Sequence, residues 1–412
     1  MPPLPSIAIV VTSYAPFIGG GETAAAQLAT FLTRQGRRVM VVTQRFDRRH
    51  ARREVLDGVD VFRVGFPGRR RALAKWLASP AFFRTLMRER GRFDVVVCID
   101  YRAAGIAALL ARGWNRRPVV FQAQTDGVIG GARVREALAT AGLGNVRWLA
   151  DLATWPIRRI YGGADAYCCI SRLIERETLE AGVPRERVHY LPNPVDTALF
   201  RPAATAERLA LRAKFGVDPE AVVAIFAGRL SREKGALDLI EAWCQGMPER
   251  AELIVVGPDM TGHPWDVGPA ARARAASASR PVRFVGPQTQ AALAEWLRLA
   301  DVHVQPSHFE AFGTSAIEAM ASGLPVIASD VGGLRDFVAP GVNGVRVPPK
   351  DPVALAGAMR LLLADTARRS ALAAGALATA PAFAIDRVLG RYIEIIDRTV
   401  PLAADAVQSP RP

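Results

Sequence analysis

The chain has 412 residues, half of them hydrophobic, with 53 Lys and Arg against 39 Asp and Glu and a net charge of +14. That is enough for two domains of ordinary size, each with its own core. No apolar run approaches the roughly 18 to 20 residues that span a bilayer, which excludes a membrane-crossing helix on sequence grounds. The four cysteines, Cys98, Cys168, Cys169 and Cys244, fit no zinc spacing, and two are adjacent. A reduced, cytoplasmic chain is the expectation. Charge is unevenly placed: residues 1–200 hold 30 Lys and Arg against 17 Asp and Glu, and the remainder 23 against 22. A basic first half suits an anionic partner. No nucleic-acid recognition motif accompanies it, so nucleic acid ranks last among partners.

In chain order, Ile7 to Val11 reads as a buried strand rather than a signal peptide, because no basic segment precedes it and no small-residue cleavage site follows. Gly19-Gly20-Gly21 follows, then a helix from about Glu22 to Gln35, which Gly36 stops. Val39 to Thr43, Asp94 to Ile99, Val119 to Phe121 and Ala166 to Ile170 read as further strands, with a helix from about Ser171 to Ala181. Between them Arg69 to Arg88 alternates cations with Trp76, Phe82, Phe83, Leu86 and Met87. That pattern fits either a segment lying on an anionic membrane or surface helices whose apolar faces pack inward.

The rigid turn Leu191-Pro192-Asn193-Pro194-Val195-Asp196 marks the expected domain boundary. Residues 1–196 form a first domain and 197–382 a second. A helix at about 383–400 returns to the first, and a flexible tail is expected over 401–412. In the second domain Ala221 to Ala227, Leu253 to Gly257, Val282 to Val285 and Val302 to Val304 read as strands. Helices cover Ala236 to Trp243 and Thr289 to Leu299. Short apolar runs alternating with helices imply an α/β fold of two Rossmann-like, doubly wound domains.

Three loops could carry chemistry. Gly19 and Gly20 could let backbone amides approach a phosphate, although the dinucleotide fingerprint is absent. Gly228-Arg229-Leu230-Ser231-Arg232-Glu233-Lys234-Gly235 follows a strand, and Arg229 and Lys234 could neutralise a diphosphate. The third, Glu310 to Ala328, holds two carboxylates, Glu310 and Glu318, eight positions apart. Phe312-Gly313-Thr314-Ser315 opens a short helix between them, with free amides and the positive helix end at one spot. Phosphate donors flanked by carboxylates suit a nucleotide sugar. Of the five histidines none pairs at metal-ligand spacing. His303 reads as a core residue and His308 as a neighbour of Glu310. No metal site is expected.

The stretch PSHFEAFGTSAIEAMASGLPVIASDVGG resembles the E-x7-E signature of retaining GT-B glycosyltransferases of family 4. GGGETAAAQLATFLTRQGRRVMVVT, FAGRLSREKGALDLIEAW and ISRLIERETLEAGVPRERVHYLPNPVDTALFRP resemble its Gly-rich loop, diphosphate loop and inter-domain segment. The resemblance implies two domains facing a central cleft and metal-independent transfer from a nucleotide-diphosphate sugar, with no cofactor. It implies that Arg229 and Lys234 hold the diphosphate and that Glu318 binds the ribose. Glu310, with the amides of Phe312, Gly313 and Thr314, would face the sugar and phosphates. Gly19 and Gly20 would close over the phosphates, and the backbone at Val285 would hold the base. Family members often place a His where this chain has Gln124 or its neighbours, and Gln cannot act as a base near neutral pH. Asp126 and Asp100, near strand ends, are the other acceptor-side candidates. The acceptor would be a glycan, a lipid-linked sugar or a small molecule. Several members dock on membranes, so peripheral attachment through Arg69 to Arg88 is implied. A sugar-nucleotide epimerase, a sugar phosphorylase and a non-catalytic nucleotide-sugar-binding subunit remain alternatives.

Overall fold

The computed structural model describes residues 4–17, 19–65, 67, 78–99, 103–125, 127, 155 and 159–408. Asp100, Asp126 and the Arg69 to Leu77 part of the basic segment lie outside the described residues. The chain forms two compact units, Met1–Pro192 with Leu389–Pro412, and Asn193–Val388.

In the first unit the strands are Ile7–Val10 (β1), Val39–Gln44 (β2), Arg53–Leu56 (β3), Val59–Val64 (β4), Val95–Cys98 (β5), Val119–Ala123 (β6), Ala166–Cys169 (β7) and Val188–Tyr190 (β8). They make one sheet in the order β3-β4-β2-β1-β5-β6-β7-β8. All its pairs are parallel except β3 with β4. β1, β5 and β6 are buried along their whole length, which is why they read as unbroken apolar runs. Helices α1 (Gly20–Arg34), α2 (Ser79–Arg88), α3 (Ala103–Asn115) and α4 (Arg172–Glu180) provide the crossovers.

The β3–β4 hairpin was not among the strands expected from sequence. Its signal is the dipeptide Asp57-Gly58, whose φ angles of 50° and 80° are both positive, as a two-residue hairpin turn requires. The polar alternation of β3 concealed it, because β3 is an edge strand with Arg53 exposed and Glu54 half-buried. In α2 the apolar residues Phe82 and Leu86 are fully buried, while Arg84 and Arg88 are exposed. In the described half of the basic segment, Phe82 and Leu86 therefore pack inward while Phe83 and Met87 are half-buried.

The second unit carries α5 (Thr205–Phe215), β9 (Val222–Ala227), α6 (Ala236–Trp243), β10 (Ala251–Val256), α7 (Gly268–Ala275), β11 (Val282–Gly286), α8 (Gln290–Leu299), β12 (Val302–Gln305), α9 (Thr314–Ala321), β13 (Val326–Ser329), β14 (Gly344–Val347), α10 (Pro352–Ala364) and α11 (Thr366–Thr379). Its six strands are all parallel, in the order β11-β10-β9-β12-β13-β14. The core between sheet and helices includes Phe226, Leu239, Trp243, Leu253, Val304, Ile327 and Met359. Strand order reverses between β9 and β12, so their carboxyl ends open the crevice where such sheets bind ligands.

The last helix, α12 (Ile385–Gln408), starts in the second unit and belongs to the first from Leu389 onward. In the first unit its Asp397 takes both guanidinium nitrogens of Arg37, at 2.7 and 2.8 Å, and its Tyr392 hydroxyl donates to Gln122 Oε1 at 3.3 Å. The helix runs past Pro401 to Gln408. Leu402, Ala403, Ala404, Ala406 and Gln408 are strong helix formers, and they outweigh the one hydrogen bond that Pro401 removes.

Candidate active site

Both loops singled out by their charge leave the sheet at the switch point. Gly228 to Gly235 leads from β9 into α6, and Pro306 to Gly313 leads from β12 into α9. They approach backbone to backbone. Gly235, with φ +65°, is the cap of α6, and a Cβ there would lie 1.9 Å from the Pro306 carbonyl oxygen. His308 N–H also donates to the Glu233 carbonyl at 2.8 Å. The far side of the second loop is closed the same way. Gly333 N–H donates to Glu310 O at 3.0 Å, and a Cβ on Gly332 would fall 1.9 Å from that oxygen. On the other flank the loop after β10 is laced to Gly228–Gly235, with Leu230 N–H on Pro258 O at 3.0 Å and Arg232 N–H on Trp265 O at 2.9 Å.

This closeness brings Lys234 to Glu310. Lys234 Nζ donates to Glu310 Oε2 at 2.7 Å, and both side chains are largely shielded from solvent. The same oxygen accepts from Gln305 Nε2 at 2.6 Å and Ser307 Oγ at 3.2 Å. Gln305 is itself aimed: its Oε1 accepts from Ser315 Oγ at 2.7 Å and meets His303 Nε2 at 3.2 Å. Burial holds the His303 imidazole neutral, with its pKa lowered to about 4, so Nε2 carries the proton that Gln305 accepts. Its Nδ1 is buried without a partner, so His303 is not the fully satisfied core residue expected. Sequence reading missed Gln305 and Ser307, and placed Ser315 in the turn without its bond to Gln305. The only signal of the first two was position, at the end of β12.

Arg229 is exposed and pairs loosely with Glu233 at 3.3 Å. No side chain caps α9, whose N-cap Gly313 takes φ +102°. Phe312 anchors the turn by burying its ring against Phe337 and Phe383, at 5.5 and 5.9 Å. Glu318 lies inside α9 and is only 5% exposed. Burial raises its carboxyl pKa to about 7, against the opposing pull of a Gln290 hydrogen bond. His308, expected beside Glu310, instead meets Asp238 Oδ2 of α6 through Nε2 at 2.6 Å. Val285 is skipped in the β10–β11 register, where Val256 pairs with Gly286 instead. The Val285 carbonyl accepts from Gln288 Nε2 at 3.0 Å.

In the first unit, Gly19 caps α1 without a side-chain bond and Gly20 is its first residue. Glu22, in the first turn, folds back so far that a Cβ on Gly19 would touch its carboxylate. Gln124 follows β6 close to Gly21, where an added Cβ would lie 3.8 Å from Gln124 Cγ. The acceptor-side candidate Gln124 and the Gly-rich loop thus share one end of that sheet.

Glycosyltransferase Family 4 matches residues 18–199, and Glycosyl transferases group 1 matches residues 207–378. The D-inositol 3-phosphate glycosyltransferase of Xylanimonas cellulosilytica is 33% identical over 319 residues, 75% of this chain and 72% of that protein. The chain belongs to the family 4, group 1 glycosyltransferases. Solved structures give this glycosyltransferase its fold. Sucrose-phosphate synthase of Thermosynechococcus elongatus superposes with a TM-score of 0.78 at 24% identity, covering 97% of this chain and 100% of that one. Anabaena HepE, crystallised with UDP and glucose, superposes with a TM-score of 0.72 at 22% identity, covering 95% and 99%. The fold is GT-B, and the enzyme transfers a glycosyl group. The epimerase, phosphorylase and non-catalytic alternatives give way to that family assignment. Among the described residues no group of three His, Cys, Asp or Glu side chains could hold a metal ion, and no helix is long and apolar enough to cross a membrane.

Proposed function

We propose that this glycosyltransferase moves a sugar from a nucleotide-diphosphate sugar to an acceptor hydroxyl with retention of anomeric configuration, using no metal ion and no further cofactor. The observation that carries this reading is the Lys234–Glu310 pair at the β9–β12 switch point, beside the uncapped start of α9. A diphosphate there meets the Lys234 cation, the nearby Arg229 and the positive end of α9. These replace the charge that a divalent cation would supply. The carbon–oxygen bond to the diphosphate breaks and the acceptor oxygen bonds to the same face. The acceptor's proton passes to the departing phosphate oxygen. Glu310 is an acceptor held by three donors, so it positions Lys234 and the sugar rather than removing a proton. Glu318 takes the ribose hydroxyls, the backbone around Val285 takes the base, and Gly19 and Gly20 add amides to the phosphates. Gln124, Asp126 and Asp100 serve the acceptor, which is a glycan, a lipid-linked sugar or a small molecule. HepE has been crystallised with UDP-glucose, which supports a nucleotide sugar as donor class.

The test is turnover of wild type and Lys234→Ala with a panel of nucleotide sugars, with and without EDTA. Wild-type activity should survive EDTA, the product should keep the donor's anomeric configuration by NMR, and Lys234→Ala should lose about 100- to 1,000-fold in kcat. Inversion, loss of activity in EDTA or an unchanged variant each overturns its own part of the reading.

A further inference from the structure

In the first unit β8, α4 and α12 line an open groove of about 430 Å³, apart from the loops of the proposed transfer site. Four guanidiniums line it. Arg172 comes from α4, Arg185 from the turn before β8, and Arg391 and Arg398 from α12. Among the described residues, only two carboxylates line it, Glu175 and Glu394. Glu175 is buried and fully engaged, one oxygen on Arg172 at 2.7 Å and the other on Arg185 at 2.6 Å. Stacking over the Tyr190 ring at 4.1 Å further orients Arg172. The two α12 arginines are poorly served. Arg391 reaches the Tyr190 carbonyl only at 3.4 Å, and Arg398 approaches Glu394 only to 3.9 Å. The His189 imidazole, half-buried, completes the β8 wall.

A surplus of guanidiniums converging from three elements on one concavity is the geometry that binds phosphate oxygens through paired N–H bonds. We propose that this groove is a binding site for a phosphorylated ligand, held by Arg391 and Arg398 with Arg172, Arg185 and His189 completing the shell. Burial, and then Arg398, Arg185 and Arg391, hold the pKa of His189 down. A bound dianion opposes those arginines and lets a protonated His189 act as a further donor. The walls are the last strand before the chain leaves the first unit and the helix by which it returns. A ligand here would tie β8 to α12. The same phosphate chemistry can come from a free metabolite or from a lipid headgroup.

Calorimetric titration of the full-length protein with pyrophosphate tests the site, using wild type, Lys234→Ala and the double variant Arg391→Gln/Arg398→Gln. Wild type should show a binding event that Lys234→Ala keeps and the double variant weakens at least about tenfold. Co-sedimentation with vesicles containing a phosphoinositide forms the second arm. Vesicle binding that depends on Arg391 and Arg398 assigns a headgroup, and pyrophosphate binding alone assigns a free ligand. Both α12 arginines are exposed, so the melting temperature and the transferase turnover of the double variant should match wild type. Superimposable titrations of wild type and the double variant with both probes overturn the proposal.

Discussion

At the scale of single residues, the proposed donor site depends on which carboxylate is already satisfied. Glu310 spends one oxygen on Lys234, Gln305 and Ser307, and Gln305 is fixed in turn by Ser315 and a neutral His303. A buried carboxylate with three donors is a fixed negative pole, and Lys234 is held by it at a defined place. Glu318 has the opposite character. Its folded-state pKa of about 7 lies above the ordinary value of 4.5, because burial disfavours the charge. The folded protein therefore holds this proton more tightly than the unfolded chain, and stability falls as pH rises from about 4.5 through 7. Glu318→Gln removes that penalty. Thermal melts should show the variant gaining on wild type between pH 5 and pH 8, and parallel pH profiles would contradict the assigned burial. In the proposed role of Glu318, ribose hydroxyls donating to it would favour its ionised form. Nucleotide binding near pH 6.5 should then release a proton, and affinity should fall by up to tenfold per pH unit below that. Calorimetry in two buffers of different ionisation enthalpy reads the proton directly, and none should appear in Glu318→Gln.

Among the elements, loops rather than strands set the site, and glycine sets the loops. The β9 and β12 loops meet where Gly235 faces the Pro306 carbonyl, at a distance that leaves no room for a Cβ. Gly235→Ala must both hold a positive φ and push two loops apart. It should cost at least about 2 kcal/mol of stability and separate Lys234 from Glu310, abolishing donor binding. Gly341 is the control, with φ +78° but open space around its Cβ position. Gly341→Ala should cost about 1 kcal/mol and leave turnover intact. Equal effects of the two substitutions on turnover would show that loop contact is not what positions Lys234. Element boundaries were legible to within a residue wherever a run was apolar on both faces, as in β1, β5 and β9. The β3–β4 hairpin was not, because an edge strand alternates polar and apolar residues and looks like a loop. The Asp57-Gly58 turn was its one local mark.

For the molecule as a whole, the charge asymmetry is the feature with the longest reach. The first 200 residues carry nearly all the net positive charge. In the described half of the basic segment, Phe82 and Leu86 are buried while Arg84 and Arg88 face solvent. Attraction to an anionic membrane, if the acceptor is lipid-linked, would thus be electrostatic in this part rather than insertive. We expect the protein to co-float with phosphatidylglycerol vesicles at low ionic strength and to detach as salt approaches about 0.5 M, where the screening length shrinks to a few ångströms. Failure to float at low salt removes the membrane from this reading.

The sequence alone determined the α/β class, the two-domain organisation expected of 412 residues, and the charged loops after β9 and β12. Those properties follow from local periodicity and from which residue types can meet phosphate. Glu310, Lys234 and Arg229 stand out in the sequence as charges beside glycine at strand ends, a pattern that suits phosphate. Only the tertiary structure decided what those residues touch. Lys234 and Glu310 lie 76 positions apart and meet because β9 and β12 are neighbours in the sheet. His308 turned to Asp238, and Gln305 became the hinge of the network. The arginine groove between β8 and α12 joins residues some 200 positions apart. Parallel strands pair by crossover connections whose partners no local pattern records, so side-chain neighbours belong to the fold and not to the segment.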